Sequence, residues 1–357
     1  MKRQKVYLVL ASLLAIISIL VIVYKRGYLN TSMSYNKLST VFAIKDTATV
    51  TKIFMADMTG ARVLLTKTSG GWMVDNEKPA AMYKIKDLLM TMNAIRVAQP
   101  LAKNAQNSII GLLAVSSTKV EIYEIQPLFT LFGHPFFVKE RLSKTYFLGD
   151  ATQNNMGSFA SLEGMAEPYI IYKPGFRGFV TPQFSPKPID WYSPLVFTTK
   201  LTQIQNASFI DVENPENSFY VNKSGTRTFT LLDSYKNEIR NYDTTLLVNM
   251  LSEFRERYYE QFLQDMTQHK KDSIVHSQFT KTISVTDVDN KTTTLCLYYI
   301  VEKGDLYEDD QLIETDYDDI SLDRYYAIIN GNKDEIYTVQ FVQYLRQLQP
   351  LSYYLKK

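Results

Sequence analysis

Between residues 6 and 24 the chain reads VYLVLASLLAIISILVIVY, about nineteen positions without a charge. At 1.5 Å of rise per residue, such a run reaches across a hydrocarbon core of roughly 30 Å, so it predicts a transmembrane helix. It ends in Val23-Tyr24-Lys25-Arg26 instead of the small residues of a signal-peptide cleavage site, which predicts an uncleaved anchor. Lys2, Arg3 and Lys5 precede the run and only Lys25 and Arg26 follow it. That basic excess predicts a cytoplasmic head at residues 1–5 and a large domain facing the periplasm of a bacterial inner membrane. A polar tether is expected over residues 25–49.

Beyond the tether the hydrophobic pattern changes period. Val50 to Met55 and Ala61 to Thr66 alternate like strands, and Gly70-Gly71 introduces a third at Trp72-Met73-Val74, so a meander is expected. From Pro79 onward Met82, Ile85, Leu88, Leu89, Met92 and Ile95 recur at three- and four-residue spacing, the stripe of a helix lying on that sheet. Asn104 caps a shorter expected helix, and further strands are expected near residues 119–125, 146–148, 158–162 and 169–172. Pro182, Pro186, Pro188 and Pro194 then crowd a segment that neither helix nor ladder accommodates. Residues 181–197 are therefore expected to join a first domain at 50–180 to a second at 198–357.

The second half resembles the first. Lys200 to Ile204 is similar to Val50 to Ile53, and the stripe Leu247, Met250, Leu251, Phe254, Tyr258 and Phe262 after the N-cap Asp243 matches the first helix. Ser273-Ile274-Val275 matches Ser108-Ile109-Ile110, and Tyr326 to Gly331 matches Phe159 to Gly164. The matches keep one order with a slowly growing offset, which predicts an internal duplication. Insertions in a repeated unit map to loops, and the two halves differ in theirs. Residues 126–143 carry Phe129, Leu131, Phe132, Phe136 and Phe137, where the second half has only a tight turn at Asp289-Asn290. Residues 303–323 carry Asp309, Asp310, Asp316, Asp318 and Asp319 among other acids. One insert is apolar and one acidic, and these ten residues are the candidate interaction sites.

Composition removes several classes. With 39 basic and 37 acidic side chains and no basic cluster in the domain, no nucleic-acid partner is expected. One cysteine, Cys296, excludes an internal disulfide, and its apolar strand context suits an inert thiol. His134, His269 and His276 do not have metal-ligand spacing, and the chain contains neither a Gly-x-Ser-x-Gly, a phosphate-binding glycine loop nor an HExxH motif. Asp316-Tyr317-Asp318-Asp319 offers oxygens without the glycine or spacing of a calcium loop. No cofactor, metal or catalytic residue is therefore expected.

Trp72 within Gly70-Gly71-Trp72-Met73-Val74, the run from Tyr146 to Gln153, and the run from Pro168 to Gly178 resemble the bacterial envelope family defined as domain of unknown function 4340. The resemblance implies a single-span protein that accompanies envelope machines, some of them ABC-type transport or gliding components. It brings no activity and no site residues. The expected fold is α+β: a transmembrane helix, then two duplicated domains of antiparallel sheet with one long packed helix each. The expected function is a non-enzymatic binding or assembly accessory whose partners are the membrane and other envelope membrane proteins. The alternative is an envelope enzyme or sensor acting on glycan or lipid through an inter-domain cleft.

Overall fold

The computed structural model describes residues 7, 11–19, 21, 38–165, 167–225, 228–277, 279–308 and 311–356, with the side chains of 302–320 and 322 excepted. The internal contacts divide the chain into two units, Met1–Tyr192 and Ser193–Lys357.

In the first unit the alternating segments form β1 (Val50–Ala56), β2 (Arg62–Thr68), β3 (Gly71–Val74), β4 (Lys78–Pro79), β5 (Arg96–Pro100), β6 (Thr118–Gln126), β7 (Phe129–Leu131), β8 (His134–Phe136), β9 (Lys139–Ala151), β10 (Ser158–Leu162) and β11 (Tyr169–Tyr172). Nine of them make one antiparallel sheet in the order β4-β3-β2-β1-β6-β9-β10-β11-β5, while β7 and β8 pair only with each other. Helix α1 (Met82–Ala94) buries Ile85, Leu88 and Met92, and α2 (Lys103–Ser116) buries Ile109 and Leu113.

The second unit contains β12 (Leu195–Phe197), β13 (Ile204–Asp211), β14 (Phe219–Lys223), β15 (Phe229–Leu232), β16 (Glu238–Ile239), β17 (Arg257–Tyr258), β18 (Gln261–Phe262), β19 (Lys281–Asp287), β20 (Thr292–Glu308), β21 (Gln311–Ile329) and β22 (Tyr337–Gln340). Its nine-stranded sheet has the order β16-β15-β14-β13-β19-β20-β21-β22-β18, the same connectivity as the first strand for strand. Helices α3 (Thr244–Ser252) and α4 (Gln268–His276) take the places of α1 and α2.

The two sheets also share register. Met55 faces Val120 and Val120 faces Tyr146 in the first, as Phe209 faces Ile283 and Ile283 faces Leu295 in the second. Ala160 lies between Leu148 and Tyr169, as Ala327 lies between Leu297 and Tyr337. All of these residues are buried. Even the irregularity recurs. Val50 and Ile53 are three apart yet both enter the core, because the β1–β6 register shifts between Val50 and Lys52. A bulge shifts the strand's facing by one residue, and the same shift separates Ile204 from Asn206. Val50 thus corresponds to Ile204, a few residues away from the pairing that the sequence similarity suggests.

Several expectations are corrected. The architecture is mostly β, and the α+β assignment with a long helix on each sheet does not hold: α1 has 13 residues and α3 nine. Asp243 does cap α3, accepting from the amides of Thr245 and Leu246. Its apolar stripe, however, leaves the helix at Ser252, and Tyr258 and Phe262 sit on β17 and β18. There Tyr258 pairs with Leu195, a partner far away in sequence that local periodicity cannot reveal. Pro79 lies on β4, opposite Met73, and does not open α1.

The transmembrane helix expected over residues 6–24 is corrected as well. Among the described residues no helix is long and apolar enough to cross a membrane. A charge-free run measures hydropathy rather than helix length. The other positions of the run, the head at 1–5 and residues 25–37 of the tether lie outside the described residues. The last part of the expected tether belongs to the first core, where Phe42 and Ile44 are fully buried. The Pro-rich segment does the same: Phe184 and Trp191 pack into that core, and the Trp191 indole donates to the Ser185 carbonyl at 2.8 Å.

Candidate functional site

The two inserts are extensions of different hairpins of the same repeated sheet. In the first unit β6 and β9 stay paired out to Gln126 and Lys139, and a ribbon of twelve residues, 127–138, continues beyond them. Phe129 faces Phe136, Thr130 faces Pro135, and Leu131 faces His134. Phe132 and Gly133 close the ribbon with φ of 49° and 81°, the left-handed pair that a two-residue hairpin turn requires. Gly133 adopts this conformation at no steric cost, whereas for a bulky Phe it is an outlier. Phe137 also has a positive φ, 53°. Strain retained in an exposed segment points to a role other than stability.

The ribbon does not pack over the first core. Phe132 is 93% exposed and Phe137 70%, and Phe129, Leu131 and Phe136 are exposed too, as are their neighbours Leu128 and Val138. The rings order one another instead. Phe129 stacks on Phe136 with centroids 5.3 Å apart, and Phe137 stands 6.0 Å from Phe129. Exposure of seven large apolar side chains in twelve residues is roughly 800 Å² of apolar surface, above the few hundred Å² of an ordinary monomer patch. Replacing Phe132 and Phe136 together by serine is therefore expected to leave the urea unfolding midpoint of the chain unchanged. A lost or broadened transition would show that the ribbon supports the core after all.

The base of this hairpin is the reverse, densely paired and polar. Glu140 receives the Lys52 ammonium at 2.6 Å and the Thr51 hydroxyl at 2.7 Å, bonds that hold its carboxyl below the usual range. Glu124 is buried and accepts from Thr49 at 2.8 Å and Gln126 at 3.1 Å. Next to it Lys144 donates to the carbonyls of Val41 and Ala43, the latter at 2.8 Å, and the buried Tyr146 hydroxyl donates to the Phe42 carbonyl. Burial pushes the Lys144 amine down to about 8, against the pull of Glu124, while burial pushes the Tyr146 phenol far up.

Both shifts have a sign in stability. Between the lowered Lys144 value and an ordinary lysine value near 10.4, the unfolded chain binds more protons than the folded one. Stability of the first unit is thus expected to rise from pH 8 toward pH 10. Above about pH 10 the unfolded chain's tyrosine ionises while buried Tyr146 does not, and stability falls again. A urea titration series across this range checks it, and Lys144→Met is expected to abolish the rising limb.

In the second unit the extension lies between β20 and β21, which stay paired out to Glu308 and Gln311. In register, Lys303 lies opposite Asp318, Glu302 opposite Asp319 and Asp305 opposite Glu314. Asp316, Asp318 and Asp319 are on β21, and Asp309 and Asp310 lie outside the described residues. At the root, Arg324 holds Glu260 at 2.8 Å and Asp323 at 2.9 Å, and the Tyr299 hydroxyl donates to Glu213 at 2.7 Å. The equivalent place in the first unit is the short turn where Thr152 N–H donates to the Gly157 carbonyl.

The remaining candidates are set apart from one another. His134 is exposed on β8; His269 and His276 are exposed on α4, where His276 Nδ1 is 2.7 Å from the Asp272 carbonyl oxygen. Among the described residues no three His, Cys, Asp or Glu side chains gather as a metal site. Cys296 is half-buried on β20 and burial pushes its thiol up. Two open hollows, of about 740 Å³ beside edge strand β5 and about 470 Å³ between α3 and β15, are lined by no carboxylate, histidine, lysine or arginine among the described residues.

Sequence reasoning missed the outward apolar side chains Ile110, Leu112 and Val115 of α2, which the polar α4 does not repeat. The signal was the uncharged second half of α2. Comparison with family models, curated proteins and solved structures finds no match to this chain.

Proposed function

We propose that the chain is a non-enzymatic binding or assembly protein of the bacterial envelope, acting on the periplasmic side of the inner membrane. A duplicated β unit supplies the scaffold, and the two unlike hairpin extensions are its contact elements. The observation that supports this reading is the 127–138 ribbon, which exposes Phe129, Phe132 and Phe137 beyond a base where the carboxylates of Glu140 and Glu124 are paired. A core-forming sequence has no reason to keep such surface in water, since each large side chain left exposed forgoes about 1.5–3 kcal/mol of burial. The second extension differs in chemistry at a different hairpin of the repeat, as expected when one fold serves two contacts. The resemblance to an envelope family supplies the setting and the class of partner, a membrane protein complex of transport or gliding type.

The test is gentle crosslinking of the full chain in intact cells, then solubilisation and co-purification. The expected result is a discrete envelope membrane protein in defined stoichiometry. A monomeric profile with no membrane protein attached overturns the reading.

A further inference from the structure

Within that reading, we infer that the ribbon of residues 127–138 docks into an anionic lipid surface, with Phe132 as its leading point. Three features favour lipid over a protein groove. The first is charge: from Pro127 to Val138 there is no formally charged residue, and His134 is the only titratable one. The second is the kind of aromatic residue. The chain has 25 Tyr and 19 Phe, yet all four aromatic residues of the ribbon are Phe. The energetic hot spots of protein interfaces favour Tyr, Trp and Arg, whose polar atoms find partners there, whereas Phe and Leu are among the residues that an interfacial segment buries in lipid. In the acyl region a phenol would lose water and gain nothing, whereas a phenyl ring carries no such penalty.

The third feature is the arrangement of shape and charge. Phe132 occupies the outermost turn in a left-handed conformation that asparagine or glycine would adopt without strain. It is a convex tip, which a fluid medium surrounds without a matching cavity. Immediately behind it the exposed Lys139 stands across from Gln126, Glu140 is neutralised by Lys52, and the half-buried Arg141 lies opposite the buried Glu124. The collar that meets the headgroups is thus basic, complementary to anionic lipid. The outward backbone edges of a two-stranded ribbon must stay hydrated, which limits insertion to the headgroup–acyl boundary, about 5–10 Å.

The test places a reporter at the tip of the full chain. Trp72 and Trp191 are both buried, so the indole introduced by Phe132→Trp reports separately. Vesicles of phosphatidylcholine with about one third phosphatidylglycerol are added, with a matched set containing brominated acyl chains. The expected result is a blue shift and bromine quenching of the tip indole. An indole introduced by Tyr235→Trp, at an exposed turn of the second unit, is expected to show neither. This control separates the ribbon from any other lipid-binding segment.

Phe129→Ser with Phe137→Ser, made in the tip-indole chain, is expected to weaken the half-saturation lipid concentration at least about tenfold. Lys139→Gln is expected to weaken it for these anionic vesicles and to leave it unchanged for vesicles of phosphatidylcholine alone. Tip emission unchanged at saturating lipid overturns the inference. If it then shifts on addition of the purified co-isolating membrane protein in detergent, the inference is likewise overturned, but the assembly reading stands. A tip that inserts while no protein co-purifies supports lipid docking and removes the assembly reading.

Discussion

Phe254→Ala is expected to cost the second unit about 3–5 kcal/mol, the largest effect of any single truncation proposed for this chain. Phe254 follows α3 in a short 3-10 turn, is 2% exposed, and meets Phe197 edge-on with ring centroids 5.0 Å apart. Phe197 in turn contacts Tyr344, so one ring ties β12, the helical layer and the C-terminal turns together. The site also has little capacity to collapse. Phe254 lines a void of about 10 Å³ together with Phe209, Phe219, Met250 and Ile283, so truncation enlarges a gap already present. The spread in such costs depends on how far neighbours close in. Urea denaturation measures the loss. Hydrogen exchange locates it, and protection is expected to fall across β13, β14 and β19. Met92, the buried equivalent on α1, is a flexible side chain whose replacement by alanine is expected to cost toward the lower end of about 2–5 kcal/mol.

Lys281→Met is the second large effect, about 3–5 kcal/mol, because it strands a buried carboxylate. Asp211 ends β13 and is 4% exposed. It accepts from the Lys281 ammonium at 2.9 Å, from the amides of Glu213 and Asn214, and from Asn217. Burial pushes its carboxyl up, but the hydrogen bond from Lys281 and those from Asn214 and Asn217 outweigh it and hold the group below the usual aspartate range. A carboxyl depressed on folding stabilises the folded state above its unfolded value near 3.9, and that contribution is lost as pH falls through the lower folded value. Acid destabilisation of the second unit below about pH 4 is therefore expected to be weaker in Asp211→Asn. The double variant with Lys281→Met is expected to recover much of the single variant's loss, since removing both charges leaves none unpaired. A double variant as unstable as the sum of the two singles counts against the coupling. In the first unit Asp57 takes the equivalent place without a lysine, and only caps its own turn through Thr59 and Ala61.

The duplication was legible because turn chemistry and buried positions repeat together. Gly164 and Gly331 both have positive φ, 85° and 72°, after strands that place Ala160 and Ala327 alike. Tight turns at the same points force the same residue types, so they survive when the surrounding surface has diverged. Register was less legible, because the bulge after Val50 moves the facing by a residue that no alternation pattern announces. The aromatic insert was visible as composition, yet its exposure was not. A run of Phe and Leu reads alike whether it covers a core or stands in water.

From the sequence alone come the strands of the first meander, the helix stripe on α1, the cap at Asp243, and two unlike inserts on one repeated plan. These are local properties, set by alternation, helical spacing and turn residues within a few positions of one another. The tertiary structure decided the rest: that Tyr258 belongs to a strand beside Leu195, that Phe42 and Trp191 belong to the first core, and that Phe132 belongs to none. Each depends on a partner, or the lack of one, dozens of residues away, and burial is fixed by which surfaces meet, which local hydrophobic pattern does not encode.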